Sequence, residues 1–258
     1  MAKKHLGQNF LKSSKALGEI ISSAEISEKD VVLEVGPGKG ALTEKLLEKA
    51  GQVIAIEKDK ELIPFLEEKF ADQIKNKKLV LKEGDILTYD LSKIPKLYKV
   101  VANIPFYITG AIIERFLESS NQPSKMALII QKEVAERIVV RDGKESILSM
   151  SVKVFGQPKY ISKIPARYFS PEPKVDSAIL LIDKIQKPFG GKRAQKDKFF
   201  KVMKIGFSQK RKTLLKNLVN QGFDREKIEN SLISMGHTKD IRAEKLSFED
   251  WDKIIKVI

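Results

Sequence analysis

Residues 31–40 read Val-Val-Leu-Glu-Val-Gly-Pro-Gly-Lys-Gly, and no other stretch restricts the fold so strongly. An apolar run of strand length ends in three alternate glycines. Glycine tolerates positive φ and lets a ligand come close to the backbone. The pattern therefore predicts a buried strand, a turn too tight for side chains, and a helix opening behind it. The spacing of Gly36, Gly38 and Gly40 is G-x-G-x-G, not the G-x-G-x-x-G of dinucleotide binders. An acid, Glu34, stands two residues before the first glycine. This arrangement suits a nucleoside with an amino-acid tail better than one with a pyrophosphate.

The same strand–helix alternation runs through the first two thirds of the chain. Strands are expected at 31–35, 53–57, 79–82, 98–102 and 126–131, with helical stretches near 40–50, 59–70 and 107–119. Such alternation implies a parallel, doubly wound α/β sheet. Two further strand-like runs, 151–156 and 177–182, flank a proline-rich loop at 165–173 and are expected to form an antiparallel edge pair. Residues 186–193 are the best linker. Beyond them the pattern is helical only, near 195–206, 210–220, 224–235 and 248–257, with Gly222 and Gly236 at helix C-caps and a capping box at 247–250. The expected division is a sheet domain over 1–185 and a small all-helical domain over 186–258.

The 258 residues contain no cysteine, which excludes disulfides and thiolate chemistry, and two histidines, too few for a histidine-built metal site. No metal is expected. No apolar run approaches the roughly 18 residues of a membrane span, and no leader pattern opens the chain, so a cytoplasmic protein is expected. The formal net charge is +14. Most of it comes from residues 184–216, where twelve Lys or Arg stand against one acid, Asp197. Clustered positive charge is the footprint of a nucleic-acid binder, because neutralised phosphates release counterions. Phe199, Phe200 and Phe207 within that block, and Trp251 beside Ile254 and Ile255, read as packing residues of the helical domain.

Ligands of open α/β sheets bind at the carboxyl ends of the strands. Glu57 ends the second predicted strand, where an acid can accept both hydroxyls of a ribose. Asp85 follows the third, where it can accept from an adenine amino group. Together with Glu34 and the glycines these acids resemble the S-adenosylmethionine-dependent methyltransferases of Rossmann-like fold. Gly36, Gly38, Lys58 and Ile86 join the candidate cofactor set.

Asn103-Ile104-Pro105-Phe106 follows the fourth strand. The amino group of adenine is a poor nucleophile because its lone pair is delocalised into the ring. Two acceptors that hold its hydrogens out of plane favour the tetrahedral geometry needed to attack a methyl group. The Asn103 side-chain oxygen can be one, and the Ile104 carbonyl, restrained by Pro105, the other. Phe106 can stack on the base. Positioning and electrostatics then supply the acceleration without a general base.

The tetrapeptide resembles the Asn-Ile/Leu-Pro-Tyr/Phe form found in ribosomal RNA adenine N6 methyltransferases. Gly7-Gln8-Asn9-Phe10-Leu11, the segment at 131–137, Phe169-Ser170-Pro171-Glu172-Pro173-Lys174-Val175-Asp176-Ser177 and the basic motif at 207–214 narrow this. Together they resemble the small-subunit rRNA adenine N6,N6-dimethyltransferases. That resemblance implies that Gln8, Asn9 and Leu11 close over the cofactor, and that Gly36, Glu57, Asp85 and Asn103 contact it. It implies that Phe106 and Phe169 sandwich a flipped adenine beside Pro171, and that Lys210, Arg211 and Lys212, in a basic helical motif, engage RNA. The implied substrate is a pair of adjacent adenines in a hairpin loop near the 3′ end of 16S-type rRNA, and the implied state is a monomer. Phe106-Tyr107 stands where the family usually has Tyr-Asn, so stacking is kept while a hydroxyl at position 106 is not. Two readings compete: a ribosome-assembly checkpoint that binds immature subunits and whose methylation is secondary or lost, and a resistance methylase acting on large-subunit rRNA, which shares the cofactor and reaction-centre motifs.

Overall fold

The computed structural model describes residues 8–258; His5, expected as a tail residue, and Gly7 lie outside that range. Nine strands run in chain order: β1 (Phe10–Leu11), β2 (Val31–Val35), β3 (Gln52–Glu57), β4 (Leu79–Glu83), β5 (Lys99–Asn103), β6 (Lys125–Gln131), β7 (Gln157–Ile164), β8 (Phe169–Ser170) and β9 (Ser177–Asp183). Seven form one sheet in the order β4-β3-β2-β5-β6-β9-β7. From β4 to β6 all pairings are parallel, and β9 and β7 add an antiparallel edge. The parallel strands are β-branched and apolar because helices cover both faces. Val32, Leu33, Val100, Val101 and Ile129 are fully buried. Each such side chain gains about 1.5–3 kcal/mol from burial.

The five parallel strands predicted from sequence are all present, within a residue or so at each end. The edge pair differs. Residues 147–153 form a helix, Ile147–Lys153, and the edge strand is β7. Ser146 and Ser149 build a capping box that starts the helix and overrides the apolar look of the run. β7 alternates exposed and half-buried residues along Gln157–Lys163, as an outer strand with one wet face should. A mostly polar alternation is a weaker signal than the apolar runs of the core strands.

The chain divides into two compact units. One contains Gly156–Gln186 and the described residues up to Ala135; the other contains Glu136–Phe155 and Lys187–Ile258. The second unit takes in 136–155 as well as 187–258, whereas a linear cut at 185 leaves 136–155 in the first.

In the first unit the helix Ser14–Ser23, capped by Ser13, buries Ala16, Leu17, Ile20 and Ile21 in the core shared with Val32, Ala127 and Ile129. In the second, helices span Arg193–Gly206, Leu214–Val219, Arg225–Ser234 and Phe248–Val257. Gly222 and Gly236 take φ of 85° and 80° just past their helices, and Ser247 with Asp250 closes the expected capping box. Residues 210–213 are not helical. Thr213 accepts from the Lys216 amide and starts the helix at Leu214, so Lys210, Arg211 and Lys212 form a loop, not the basic helix anticipated. Trp251 is fully buried and stacks on Phe207 at 5.4 Å, a packing role as expected.

Candidate active site

A cleft of about 210 Å³ opens at the carboxyl ends of β2, β3, β4 and β5. It lies where β2 turns the strand order toward β3 on one side and β5 on the other, the switch point at which such sheets bind ligands. Its wall includes Gln8, Asn9, Leu11, Glu34, Gly36, Gly38, Glu57, Lys58, Asp85, Ile86 and the whole run Asn103–Phe106. Residues far apart in sequence and singled out as a cofactor set therefore share one wall.

Gly36 has φ +65°, and a Cβ there would meet open space. The backbone thus presents itself bare to the cleft. Gly38, at φ +59°, is glycine for a second reason, since a Cβ would fall 2.8 Å from the Phe10 ring. Glu57 is buried and fixed by two amides. Its Oε2 accepts from Gly38 N at 3.0 Å and its Oε1 from Asp59 N at 2.8 Å. Burial pushes its carboxyl up despite those bonds. Glu34 is more extreme. It is 1% exposed, its Oε2 has no hydrogen-bond partner among the described residues, and burial, with the charge of Glu57 beside it, raises its pKa to about 8. A buried, cleft-lining acceptor with an open valence fits a ligand that brings a cation or donor. Asp85 shifts the other way. The Lys58 ammonium, 2.9 Å from Oδ2, holds its carboxyl below the usual range, and the Leu87 amide donates to Oδ1 at 2.9 Å.

The segment at 8–11 closes over this wall and is tied to it. Gln8 Nε2 donates to Asp59 Oδ2 at 2.9 Å. The Asn9 carbonyl accepts from Asn103 Nδ2 at 2.9 Å. β1 pairs with β8, with Leu11 opposite Phe169. The Asn103–Asn9 bond has a direct chemical consequence. It commits one N–H of the amide to the strap and leaves Oδ1, which can only accept, free of that bond. Ile104 lines the cleft although only 2% of it is exposed. Phe106 is half-buried on the same wall.

Two anticipated roles do not match their placement. Phe169 is 3% exposed and belongs to the core. Its ring packs there and does not line the cleft, so it presents no face to a base. Pro171 is exposed and also off the cleft wall. The motif around them closes its own loop: Asp176 accepts from the Ala166 amide at 2.9 Å and pairs with Lys163 at 2.8 Å. Lys210, Arg211 and Lys212 are exposed in the helical unit. Two contributors were missed. Asp59 anchors Gln8, and Phe10 occupies the space left by Gly38. Phe10 stood inside a quoted motif, and Asp59 lies two residues after a chosen acid, but only the closed strap reveals their contacts. Among the described residues there is no cluster suited to a metal and no helix long and apolar enough to cross a membrane.

A parallel sheet with these acids at successive strand ends and Asn-Ile-Pro-Phe after β5 defines an S-adenosylmethionine-dependent methyltransferase. More narrowly, the chain belongs to the ribosomal RNA adenine dimethylase family, whose model matches residues 1–258. It is 42% identical over 259 residues to the ribosomal RNA small subunit methyltransferase A of Dehalococcoides mccartyi (strain CBDB1), covering 98% of this chain and 87% of the relative. The protein of that name from Fusobacterium nucleatum subsp. nucleatum is 38% identical, covering 99% and 97%. Among solved structures, the 23S rRNA methyltransferase ErmE superposes with TM-score 0.83 at 27% identity, covering 96% of this chain and 98% of its own. A dimethyladenosine transferase from Plasmodium falciparum gives 0.78 at 28% identity, covering 95% of each chain.

Proposed function

We propose that the protein transfers methyl groups to the N6 amino groups of two adjacent adenines in a hairpin loop near the 3′ end of 16S rRNA, acting as a monomer on small-subunit assembly intermediates. The observation that carries this reading is the Asn103 amide on the cleft wall, its nitrogen donating to the Asn9 carbonyl, with Ile104 beside it. S-adenosylmethionine supplies an electrophilic methyl group. In this reading Glu57 accepts from ribose hydroxyls, Asp85 accepts from an adenine amino group, and Glu34 with the Gly36–Gly38 turn receives the amino-acid tail. Asn103 Oδ1 and the Ile104 carbonyl hold the target amino group out of plane, and Phe106 stacks on the base. The target must leave its stack to enter the cleft, which costs least in a hairpin loop. Lys210, Arg211 and Lys212 grip phosphates without reading sequence.

The 23S enzyme shares the fold closely, so shape does not choose the subunit. The curated relatives at 38–42% identity favour the small one. Unmethylated 30S particles and free large-subunit rRNA, each incubated with donor and analysed by mass spectrometry of digests, separate the two. Dimethyladenosine at adjacent positions of 16S rRNA is expected. Methylation only of large-subunit rRNA would refute the assignment.

A further inference from the structure

The loop that carries Lys210, Arg211 and Lys212 is held from beneath by a side chain to which no role has been given. Asn217 is 3% exposed, and its Nδ2 donates to the carbonyls of Gly206 at 2.6 Å and Gln209 at 3.3 Å. These carbonyls lie just before the three cations. The loop is also closed on itself, with the Lys212 amide donating to Gln209 O at 3.0 Å, and its far end is pinned where the Leu214 amide donates to Ile241 O at 2.9 Å. Its near end has no freedom either. Phe207 lies flat on Trp251, and a Cβ on Gly206 would fall 2.2 Å from the Trp251 ring. Among the described residues none of the three cations pairs with an acid.

We propose that Asn217 is a positioning residue that presents the Lys210–Lys212 loop, already ordered, to the phosphates of the RNA substrate. The idea rests on the reading of that loop as an RNA contact. An ordered loop binds without first losing its conformational freedom, so more of its contact energy appears as affinity. A carboxamide suits the task because its two N–H donors can serve two carbonyls at once. A buried apolar residue in its place would remove this donor from Gly206 O and leave Gln209 O with the Lys212 amide alone, and the loop would sample other forms.

The number of phosphates neutralised is read from the slope of log K against log salt, about 0.7–0.9 per phosphate. Binding of the full chain to 30S particles is measured across salt for four variants beside the wild type. The Lys210→Ala/Arg211→Ala/Lys212→Ala protein should lose about 2–3 units of slope. Asn217→Leu, and Asn217→Ala with it, should lose about 1–2 units while S-adenosylmethionine affinity stays at the wild-type value. Leu218→Ala, a fully buried neighbour that makes no bond to the loop, should lower the melting temperature and leave the slope alone. A wild-type slope in the Asn217 variants, or an equal loss in Leu218→Ala, overturns the positioning role alone. No change in the triple variant overturns the RNA reading of the loop and the proposal with it. Hydrogen exchange on the free wild-type protein provides a check that needs no variant. The Lys212 amide should be protected before RNA is added, and exchange at the rate of an unstructured peptide would refute an ordered loop.

Discussion

The cleft and the basic loop solve the same problem, holding a ligand in register, by opposite means. In the cleft the polar groups are few, Glu34 and Glu57 buried and Asp85 and Asn103 half-buried, and most are fixed by backbone: Glu57 by two amides, Asp85 by Leu87, Asn103 by Asn9. In the loop the backbone is fixed and the charged groups extend freely into solvent. A buried group acts through geometry in a medium of low dielectric, where salt has little reach. An exposed cation acts through net charge and is screened within about 8–10 Å. Changes in the cleft should therefore be large, salt-independent and specific to one step. Changes at the loop should be graded and dependent on salt.

Asn103→Ala gives the largest contrast. It removes the oriented acceptor and one tie of the strap together. Loss of one preorganised polar group at a reacting centre costs about 10²–10³ in kcat. The expected outcome is a fall of that size in single-turnover methylation of 30S particles, the same at low and high salt, with particle binding retained. A loss that disappears on lowering the salt would place Asn103 with the binding cations and erase the distinction between the two regions.

Glu34 sharpens the comparison, because its burial is severe enough to register in stability. In the folded protein its pKa is raised to about 8 from 4.5. Between those values the folded state holds a proton that the unfolded state has released. The favourable contribution is complete below about pH 4.5 and is lost as pH rises through about 8. Urea denaturation of the ligand-free protein should show stability falling between pH 5 and pH 8.5, by an amount on the order of 4 kcal/mol at the upper end. Glu34→Gln, with no proton to lose, should flatten that dependence. An unchanged slope in the Gln variant would mean that the carboxylate is solvated.

Legibility followed the same divide. The parallel strands were readable because runs such as Val53–Ile56 and Met126–Ile130 are apolar on both faces, and the cofactor wall because each acid or glycine sits at a strand end, one step from an unmistakable signal. The edge strand at 157–164 was not readable, since its alternation is polar and the run before it hides a serine-capped helix. Phe169 was assigned by family likeness to a base-stacking role. Its placement depends on the pairing of Leu11 with Phe169, a contact between residues 158 positions apart that no local pattern encodes. The Asn9–Asn103 bond is hidden for the same reason. In the helical unit charge was legible as a quantity, while its presentation on a loop depended on where Thr213 starts a helix.

That helix start gives the smallest expected effect, and the one that best tests whether the loop is ordered independently of its charges. Thr213 Oγ1 accepts from the Lys216 amide at 3.2 Å and sets the boundary between loop and helix. Thr213→Ala removes an N-cap without touching a cation, which costs about 1 kcal/mol. The variant should melt a few degrees lower by circular dichroism and keep wild-type affinity for S-adenosylmethionine, because the cleft wall contains no residue of this segment. Frayed by one turn, the helix would let the Lys210–Lys212 loop lengthen, so affinity for 30S particles should fall slightly and more at high salt than at low. If the variant melted lower yet bound particles unchanged at every salt concentration, the loop's order would be owed to Asn217 and Trp251 alone, and the cap would matter only to the fold.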